Sequence, residues 1–409
     1  MKERLKQRFL RYVSYDTQSD ENEVIDELQP STAKQLELAK QLLEELNSLH
    51  LLDTKLDQYG YVYGYLKGNV NKDITIGLIA HVDTATELSG YNVKPQIIEK
   101  YDGKPIVLNN NIILTKELFP SLESKFNHTL ITTDGTTLLG GDDKAGIAII
   151  IESLSKIIEE NLPHPNIIVT FTPDEEIGRG TAHFDYDYYH KYNCNTAYTI
   201  DGGPINEINF ENFNAATAII EVTGNSIHPG DAYKKMINSM PLAMEFHQMI
   251  PKNQVPELTK EYEGFYHLTE INGDVNKSTL TYIIRDHDKK KFILKKEFLK
   301  NLTNFMNDKY QNRFKLTIKD SYYNMRDLLL GNHIILEYPI KALNRLKLNP
   351  TFVPIRGGTD GAHLSYNGIL TPNLGTGDYN CHGAYEYVDL DDMNVMVDVV
   401  VEMLKISVE

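Results

Sequence analysis

Short apolar runs rich in β-branched residues recur in the first half of the chain. Three of them occupy residues 74–80, 167–171 and 196–200. Their length and composition are typical of buried strands in a parallel sheet, where both faces of each strand are covered. Residues 61–66 form a further predicted strand. The pattern therefore predicts a central β-sheet in this part of the chain.

Segments with the periodicity of amphipathic helices alternate with these predicted strands. One covers residues 31–49, and another begins at Asp142. The apolar residues of the second segment recur at helical spacing, as on one face of a helix. These residues are Ile147, Ile150, Ile151, Leu154 and Ile158. Alternating strands and helices predict an α/β domain.

The pattern changes from about residue 213. Three segments are predicted as strands and two as helices, and none of them ends on a group of metal-ligand residues. The strands are residues 218–222, 280–284 and 314–318, and the helices are residues 240–250 and 291–310. We predict that residues 213–324 form a smaller inserted α+β domain. Residues 1–212 and 325–409 then form one discontinuous catalytic domain, because His382 is needed at the site described below.

Length and composition agree with a folded protein of two domains. The chain has 409 residues, of which 41% are hydrophobic, and a chain of this length usually divides into more than one domain. The net charge of −16 disfavours binding to nucleic acid or to an anionic membrane surface. Cys194 and Cys381 are the two cysteines and have no ligand-like spacing. This usage predicts a reducing compartment and no disulfide scaffold.

The basic N-terminal segment could be mistaken for a signal peptide. Its apolar residues, however, recur at helical spacing and form no continuous apolar core, which predicts an amphipathic helix. They are Leu5, Phe9, Leu10 and Val13. No stretch approaches the about 18 apolar residues that a transmembrane helix needs. We therefore expect a soluble, cytoplasmic protein with no membrane partner.

Residues that bind metal ions follow the three apolar runs. His81 follows the first run, Asp174-Glu175-Glu176 follow the second, and Asp201 follows the third. In open α/β sheets, ligands bind beyond the carboxyl ends of the strands. Asp142, at the start of a helix, and His382, in a loop near Gly383, add two further donors. Imidazole and carboxylate ligands without a thiolate suit zinc, so the sequence predicts a hydrolase site with two metal ions.

Each motif also has a simpler explanation when it is taken alone. Acidic residues such as Asp142 at a helix start interact favourably with the helix dipole. The combination of motifs favours a metal site, because the simpler explanations do not account for acids and histidines that recur at the same edge of the sheet. Asp83 follows His81 on the same strand face and can accept its free imidazole N–H. Glu175, beside the proposed ligand Glu176, is then left as a candidate general base.

Four motifs, in this order, resemble the signature of the co-catalytic dizinc exopeptidases, a family that includes aminoacylases and glutamate carboxypeptidases. They are His81–Thr84, Leu139–Gly146, Thr172–Gly178 and Ile200–Gly203. Further stretches resemble the bacterial tripeptide aminopeptidases within that family, and this likeness runs from Tyr12 almost to the C-terminus. They are residues 131–135, 211–215, 264–268 and 355–361.

The resemblance implies a fold, a cofactor and a set of residue roles. The implied fold is a zinc-exopeptidase-like α/β catalytic domain with helices on both faces of a mixed sheet, plus an inserted α+β sandwich that acts as a lid. The implied cofactor is two zinc ions per subunit, bridged by Asp142, and the implied catalytic pair is Asp83 and Glu175. The metal ligands that it implies are His81, Asp142, Glu176, Asp201 and His382. It also implies a cis peptide bond between Asp142 and Asp143.

The resemblance implies substrate-binding roles for two residues of the inserted domain. The residue that matches His228 polarises the scissile carbonyl in the wider family, in some members from a partner subunit. The residue that matches Arg285 clamps a substrate carboxylate, a task that suits a guanidinium group. The alternatives are a surface histidine in a loop and an arginine at a solvated strand end.

The expected function is a metal-dependent aminopeptidase that releases the N-terminal residue from tripeptides. The alternatives are a dizinc dipeptidase or an N-acyl-amino-acid amidohydrolase of the same architecture. A third alternative, a metal-free peptide-binding protein on the same scaffold, would be indicated by the loss of Glu175 or of a ligand, and none is lost. The expected partner is a small peptide with a free N-terminus, with no nucleic acid and no membrane. Association of two copies into a homodimer is left open.

Overall fold

The chain folds into two compact units. The structure is a computed structural model that describes residues 1–21, 29–109 and 111–409. The first unit comprises Met1–Phe210, Asp327–Val353 and Thr359–Glu409, and the second comprises Glu211–Arg326 and Pro354–Gly358. The short segment Pro354–Gly358 was predicted to belong to the catalytic domain, whereas in the structure it packs within the second unit.

The helices and strands that the sequence predicted are present in the expected order, and further short strands lie between and after them. The α-helices are α1 (Lys2–Val13), α2 (Gln35–Ser48), α3 (Gly141–Glu159), α4 (Tyr186–Lys191), α5 (Ser239–Gln248), α6 (Lys289–Tyr310), α7 (Arg326–Leu330), α8 (Ile334–Arg345), α9 (Asp360–Tyr366) and α10 (Leu390–Ser407). The strands are β1 (Leu52–Leu56), β2 (Val62–Leu66), β3 (Thr75–His81), β4 (Gln96–Ile98), β5 (Ile106–Asn109), β6 (Ile112–Leu114), β7 (Leu130–Thr132), β8 (Asn166–Thr172), β9 (Ala197–Ile200), β10 (Glu207–Asn209), β11 (Asn214–Thr223), β12 (Phe265–Gly273), β13 (Lys277–Asp286), β14 (Phe314–Tyr322), β15 (Thr351–Phe352), β16 (Asn373–Leu374), β17 (Asp378–Tyr379) and β18 (Tyr387–Asp389).

The main sheet of the first unit has eight strands among the described residues, in the order β1-β2-β8-β3-β9-β16-β10-β15. The strands β8, β3 and β9 are parallel neighbours, while β2 pairs antiparallel to β8. All residues of β3 and β9 are buried, as expected for strands that are covered on both faces. The carboxyl ends of three adjacent strands therefore lie at one edge of a mixed sheet.

Helices cover this sheet. The helix α3 packs against β3 and β9, and α10 packs in turn against α3 and α8. Tyr189 of α4 and Leu364 of α9 join Ile79 of β3 and Ile168 of β8 in one buried cluster. Within the described residues, no helix combines the length and the apolar character that a bilayer crossing requires.

A second, smaller sheet of the first unit carries the loop of His382. Its order is β17-β18-β7-β4, and its strands pair antiparallel. The loop between β17 and β18 contains His382. The sequence pattern did not predict these strands, because each has only two or three residues and too few positions to show a period.

The second unit is an antiparallel sheet covered by two helices. The strand order is β12-β13-β11-β14, and Ala218 of β11 pairs with Tyr282 on one side and Ile318 on the other. Phe246 of α5 and Leu299 of α6 pack with the buried residues of β11 and β13. This α+β sandwich, together with the mixed α/β sheet of the first unit, confirms the fold class expected from the sequence.

Candidate metal centre

The carboxyl ends of the parallel strands place three acidic or imidazole side chains together. His81 is the last residue of β3 and pairs with Thr172, the last residue of β8. Glu176 lies in the turn that follows β8, and Asp201 follows β9 directly. The side chains of His81 and Glu176 are buried. The apolar strands therefore place polar side chains at a buried edge of the main sheet.

Asp142 reaches the same place from the start of α3. The helix is preceded by Gly140 in a left-handed conformation with φ of +81°, which a residue with a side chain rarely adopts. The Asp142–Asp143 peptide bond is cis, as the resemblance implied, so this prediction is confirmed. The neighbouring Asp143 also lies close to His81 and Asp201, but both of its carboxylate oxygens accept hydrogen bonds from backbone N–H groups, those of His81 and Gly146.

The two oxygens of Asp142 face two different imidazoles. His81 Nε2 lies 2.9 Å from Asp142 Oδ1, and His382 Nε2 lies 3.3 Å from Asp142 Oδ2. On the outer sides, His81 Nε2 is 3.9 Å from Asp201 Oδ2, and His382 Nε2 is 3.0 Å from Glu176 Oε2. The structure thus brings together all five residues that the sequence suggested as ligands, in two overlapping groups that share Asp142.

Asp83 connects His81 to the turn that carries the glutamates. Its Oδ1 lies 3.3 Å from His81 Nδ1, and its backbone carbonyl lies 3.0 Å from the same nitrogen. The Asp83 carboxylate also accepts hydrogen bonds from the backbone N–H groups of Glu175 and Glu176, at 3.0 and 3.2 Å. One fully buried carboxylate therefore orients the imidazole and fixes the turn.

Comparison with known proteins shows the family of the chain. It is 48% identical to the peptidase T of Bacillus velezensis over 414 aligned positions, which cover 100% of both chains. The chain belongs to the peptidase T family. The peptidase T of Clostridium acetobutylicum is 46% identical and covers 98% of each chain. These relatives confirm the family resemblance that the sequence motifs indicated.

Two further comparisons concern one domain of the chain and its overall fold. Residues 210–313 match the family described as "Peptidase dimerisation domain". The crystal structure of an aminopeptidase from Bacillus cereus superposes on this chain with a TM-score of 0.77 and 21% sequence identity. That match covers 100% of this chain and 99% of the other, so the two proteins share the fold over their whole lengths.

Burial and mutual repulsion set the charges of the acids in this peptidase T family member. Burial, together with the charge of Asp142, raises the pKa of Asp201 to about 7 and that of Glu176 to about 8. Burial would also raise the pKa of Asp142, but hydrogen bonds to His382 and His81 outweigh it and lower that pKa well below its usual range. The negative charge of Asp142 therefore disfavours negative charge on Asp201 and Glu176.

Glu175 has different surroundings from the other acids. Burial raises the pKa of its carboxyl well above the usual range, and the charge of Asp360 adds to the effect. Asp360 follows the glycine pair Gly357-Gly358 and accepts a hydrogen bond from Thr172 Oγ1 at 3.0 Å. The neighbouring Asp174 is anchored by Ser31 and Gln35, whose groups donate to its carboxylate. The turn thus presents Glu175 from a fixed backbone.

The residues of the cluster fit a centre of divalent metal ions. Oxygen and imidazole nitrogen donors are the types that zinc binds in catalytic sites. Among the described residues, Glu176 Oε1 is buried and has no hydrogen-bond partner, a state that costs free energy unless a cation or donor compensates it. Asp142 and Asp201 keep 18% and 20% of their side chains exposed, so a small ligand can reach the cluster.

Two buried carboxylates near the site were not predicted from the sequence. Glu386 accepts hydrogen bonds from four consecutive backbone N–H groups that end at Asp142. Asp378 is also buried, with its Oδ1 against Gly141. The spacing of four residues between His382 and Glu386 is visible in the sequence. The role of Glu386 can be recognised only once the pairing of β18 with β7 is known.

The two predicted substrate-binding residues lie in the second unit. His228 is exposed and precedes the short 3₁₀ turn Pro229–Asp231, where its Nδ1 accepts a hydrogen bond from Gly230 N–H. Arg285 lies near the end of β13, and its Nη1 donates to the carbonyl of Arg356 at 3.1 Å. Within the described residues, Arg285 Nε is buried without a partner. The roles of His228 and Arg285 stay predictions.

Proposed function

We propose that this chain releases the N-terminal residue of tripeptides by hydrolysis at the cluster around Asp142. The chain is a metal-dependent aminopeptidase, because it shares 48% identity with a peptidase T over its entire length. The observation that supports the location of the reaction is the geometry of Asp142, whose two oxygens face His81 and His382 separately. A carboxylate with one oxygen on each side is what a bridged pair of metal ions requires.

The proposed cofactor is a pair of zinc ions. Asp142 would bridge them, with His81 and Asp201 as ligands of one ion and Glu176 and His382 as ligands of the other. When bound, such ions supply Lewis acidity, which polarises a carbonyl group and lowers the pKa of water toward roughly 7. The buried Asp83 carboxylate would hold the His81 ring in place and raise its basicity.

Glu175 is the proposed general base. Its raised pKa favours the uptake of a proton, and burial is the main cause of that increase. The Glu175 carboxylate would take the proton of the attacking water and then donate it to the nitrogen of the departing amine. The hydrogen bond from Glu175 N–H to Asp83 holds the backbone of this residue during both transfers.

His228 and Arg285 are proposed to bind the substrate. The His228 imidazole would donate a hydrogen bond to the scissile carbonyl oxygen as negative charge develops there. The Arg285 guanidinium would bind the terminal carboxylate of the tripeptide, which would limit the length of the substrate. Both roles rest on the family resemblance.

The cellular setting is part of the proposal. Two free cysteines and a net charge of −16 suit a reducing cytoplasm, where we place the enzyme. The match of residues 210–313 to a peptidase dimerisation domain supports a homodimer. A dipeptidase or an N-acyl-amino-acid amidohydrolase of the same architecture is the remaining alternative for the chemistry.

One set of assays separates these activities. The zinc-loaded enzyme should hydrolyse a free tripeptide, and it should not act on the same tripeptide after N-acetylation, because an aminopeptidase requires the free ammonium group. Chelation of the metal should abolish the reaction and added zinc should restore it. Faster hydrolysis of the acetylated peptide, or of a dipeptide, would assign the chain to one of the alternative activities.

A further inference from the structure

The side chain of Glu386 accepts hydrogen bonds from four backbone N–H groups. Its Oε2 accepts from the N–H groups of Leu139 and Gly140 at 2.6 and 3.0 Å. Its Oε1 accepts from those of Gly141 and Asp142 at 2.6 and 3.3 Å. The residue is 1% exposed, so these four donors replace the water that a carboxylate would otherwise bind.

The segment that Glu386 binds cannot satisfy its own donors. The first N–H groups of a helix have no partner within the helix, and α3 receives no side-chain cap from Gly140. An anionic group at this end of a helix is also favoured by the helix dipole, and hydrogen bonds to a carboxylate are stronger than those to a neutral acceptor. Glu386 therefore fixes the backbone from which the Asp142 side chain extends.

The same side chain belongs to the loop that carries His382. Glu386 lies four residues after His382, and its own N–H donates to the carbonyl of Gly383 at 3.2 Å. Directly after it, β18 begins at Tyr387 and pairs with β7. Glu386 thus joins the segment before Asp142 to the segment of His382, although the two are far apart in sequence.

The two segments are packed closely where Glu386 joins them. A Cβ on Gly141 would overlap Asp378 Oδ1 and would lie 2.6 Å from a methyl carbon of Val388 in β18. The Asp142 segment therefore rests directly on the strands that flank the His382 loop. In this arrangement His382 Nε2 lies 3.3 Å from Asp142 Oδ2.

We propose that Glu386 is a positioning residue that sets the spacing of Asp142 and His382 and thereby the affinity for metal. It acts through the backbone, and Asp142 and His382 are the groups that contact the metal. The inference rests on the proposed metal-binding roles of those two residues. A metal site requires its ligand distances to lie within about 0.2 Å of their ideal values, so we expect a shift of the Asp142 segment to weaken binding.

Two substitutions of Glu386 test the proposal. Glu386→Gln keeps the size of the side chain but replaces one acceptor oxygen with an NH₂ donor, which would face two backbone donors. Glu386→Asp keeps the charge but shortens the side chain by one methylene, so it cannot reach all four N–H groups. The matched control is Glu152→Gln, because Glu152 is also a buried glutamate and lies within α3, but it binds Arg4 and Arg8.

The measurement is a zinc titration of the metal-free proteins in competition with a chromophoric chelator, with circular dichroism to confirm that each protein is folded. Both Glu386 variants should bind zinc about 10–100-fold more weakly than the wild type, the range seen when outer-shell partners of metal ligands are removed. Glu152→Gln should unfold at a lower temperature but bind zinc with unchanged affinity. If Glu386→Gln does not fold, Glu386→Asp decides the question.

The outcomes distinguish this inference from the proposed function. A folded Glu386 variant with wild-type zinc affinity would reduce Glu386 to a structural helix cap and overturn the inference. Equal losses of affinity in the Glu386 variants and in Glu152→Gln would do the same, because they would reflect general destabilisation. A wild-type protein that binds no zinc would instead reject the proposed metal centre itself.

Discussion

Glu175 and Glu176 are neighbours in sequence with different surroundings. Glu176 Oε2 lies 3.0 Å from His382 Nε2, within the group of proposed ligands. The backbone N–H of Glu175 donates to Asp83, as that of Glu176 does, but burial and then the charge of Asp360 raise the pKa of the Glu175 carboxyl well above its usual range. Glu176 therefore suits metal binding, and Glu175 suits proton transfer.

This difference predicts different effects of the same substitution. Glu175→Gln should lower the turnover of a tripeptide by roughly 10²–10⁴-fold, the usual contribution of general acid–base catalysis, and should leave zinc content and melting temperature near those of the wild type. Glu176→Gln should lose zinc as well as activity. Metal analysis of the purified variants beside a tripeptide assay provides the comparison. An active Glu175→Gln, or one as poor in zinc as Glu176→Gln, would contradict the assignment.

His287 of the second unit provides a test of stability against pH. It is 7% exposed, and its ring lies 4.1 Å from the ring of Phe213 and 5.2 Å from that of Tyr262. Burial lowers its pKa from 6.5 to about 4, because the charged imidazolium loses its hydration. Between these two values the unfolded chain binds more protons than the folded one, so stability falls as the pH falls.

The predicted loss for His287 is about 3 kcal/mol in total between pH 6.5 and 4. Urea unfolding at several pH values should show this slope in the wild type. The variant His287→Phe keeps a ring against Phe213 and removes the titration, so its slope in this window should be smaller. An equal slope in both proteins would assign the pH dependence to other groups.

At the scale of elements, the contact between α3 and β9 leaves no room for a side chain at Gly146. A Cβ at this position would overlap the carbonyl oxygen of Ile200, the last residue of β9, and the carboxylate of Asp143. Gly146→Ala should therefore push α3 away from the end of β9, from which Asp201 extends. Overpacking of this kind costs about 3 kcal/mol.

Urea unfolding measures the cost at Gly146, and the tripeptide assay should show a parallel loss of activity because Asp201 moves. Gly331→Ala is the matched control, since the nearest atom to its added Cβ would lie at 3.4 Å. Its stability should stay within about 0.5 kcal/mol of the wild type. A Gly146→Ala variant as stable as this control would show that α3 and β9 can separate without cost.

The elements that the sequence predicted are those with a clear local pattern, either a continuous apolar run or a helical period. The central strands β3, β8 and β9 are continuous apolar runs because they are buried on both faces, and α3 shows an apolar face. The strands β17 and β18 are too short to show a period, and the sequence analysis did not predict β12, which is exposed over much of its length.

The residues of the candidate site also fall into those that the sequence predicts and those that it does not. Residues at strand ends, such as His81 and Asp201, could be predicted because strand order alone brings them together. The contribution of Glu386 could not, because its four backbone donors belong to a segment more than two hundred residues earlier in the chain. The cis bond at Asp142 came from the family resemblance and had no local signal.

At the scale of the whole molecule, the proposed ligands tie together distant parts of the first unit. His81, Asp142, Glu176, Asp201 and His382 come from five separate segments. Ions bound to the folded state alone stabilise it, by about 2.7 kcal/mol when the free metal is at 100 times its Kd. Chelation should therefore lower the melting temperature, and added zinc should restore it.

Differential scanning calorimetry with and without chelator measures this effect. Glu175→Gln is the control variant, because Glu175 is not a proposed metal ligand. Its chelator-induced shift in melting temperature should be as large as that of the wild type. In Glu176→Gln the shift should be smaller. Identical melting temperatures of the wild type with and without chelator would show that bound metal does not support the fold.

The ribosome makes the strands β9 and β10 long before it makes β16, which lies between them in the sheet. Until Asn373–Leu374 emerge, β9 and β10 each have an unpaired edge, and such edges invite pairing with other chains. His382 and Glu386 are translated later still. A polypeptide released early from translation therefore carries an open sheet and an incomplete proposed site. Because His382 is one of the proposed ligands, we expect no peptide hydrolysis from a chain that stops before this residue.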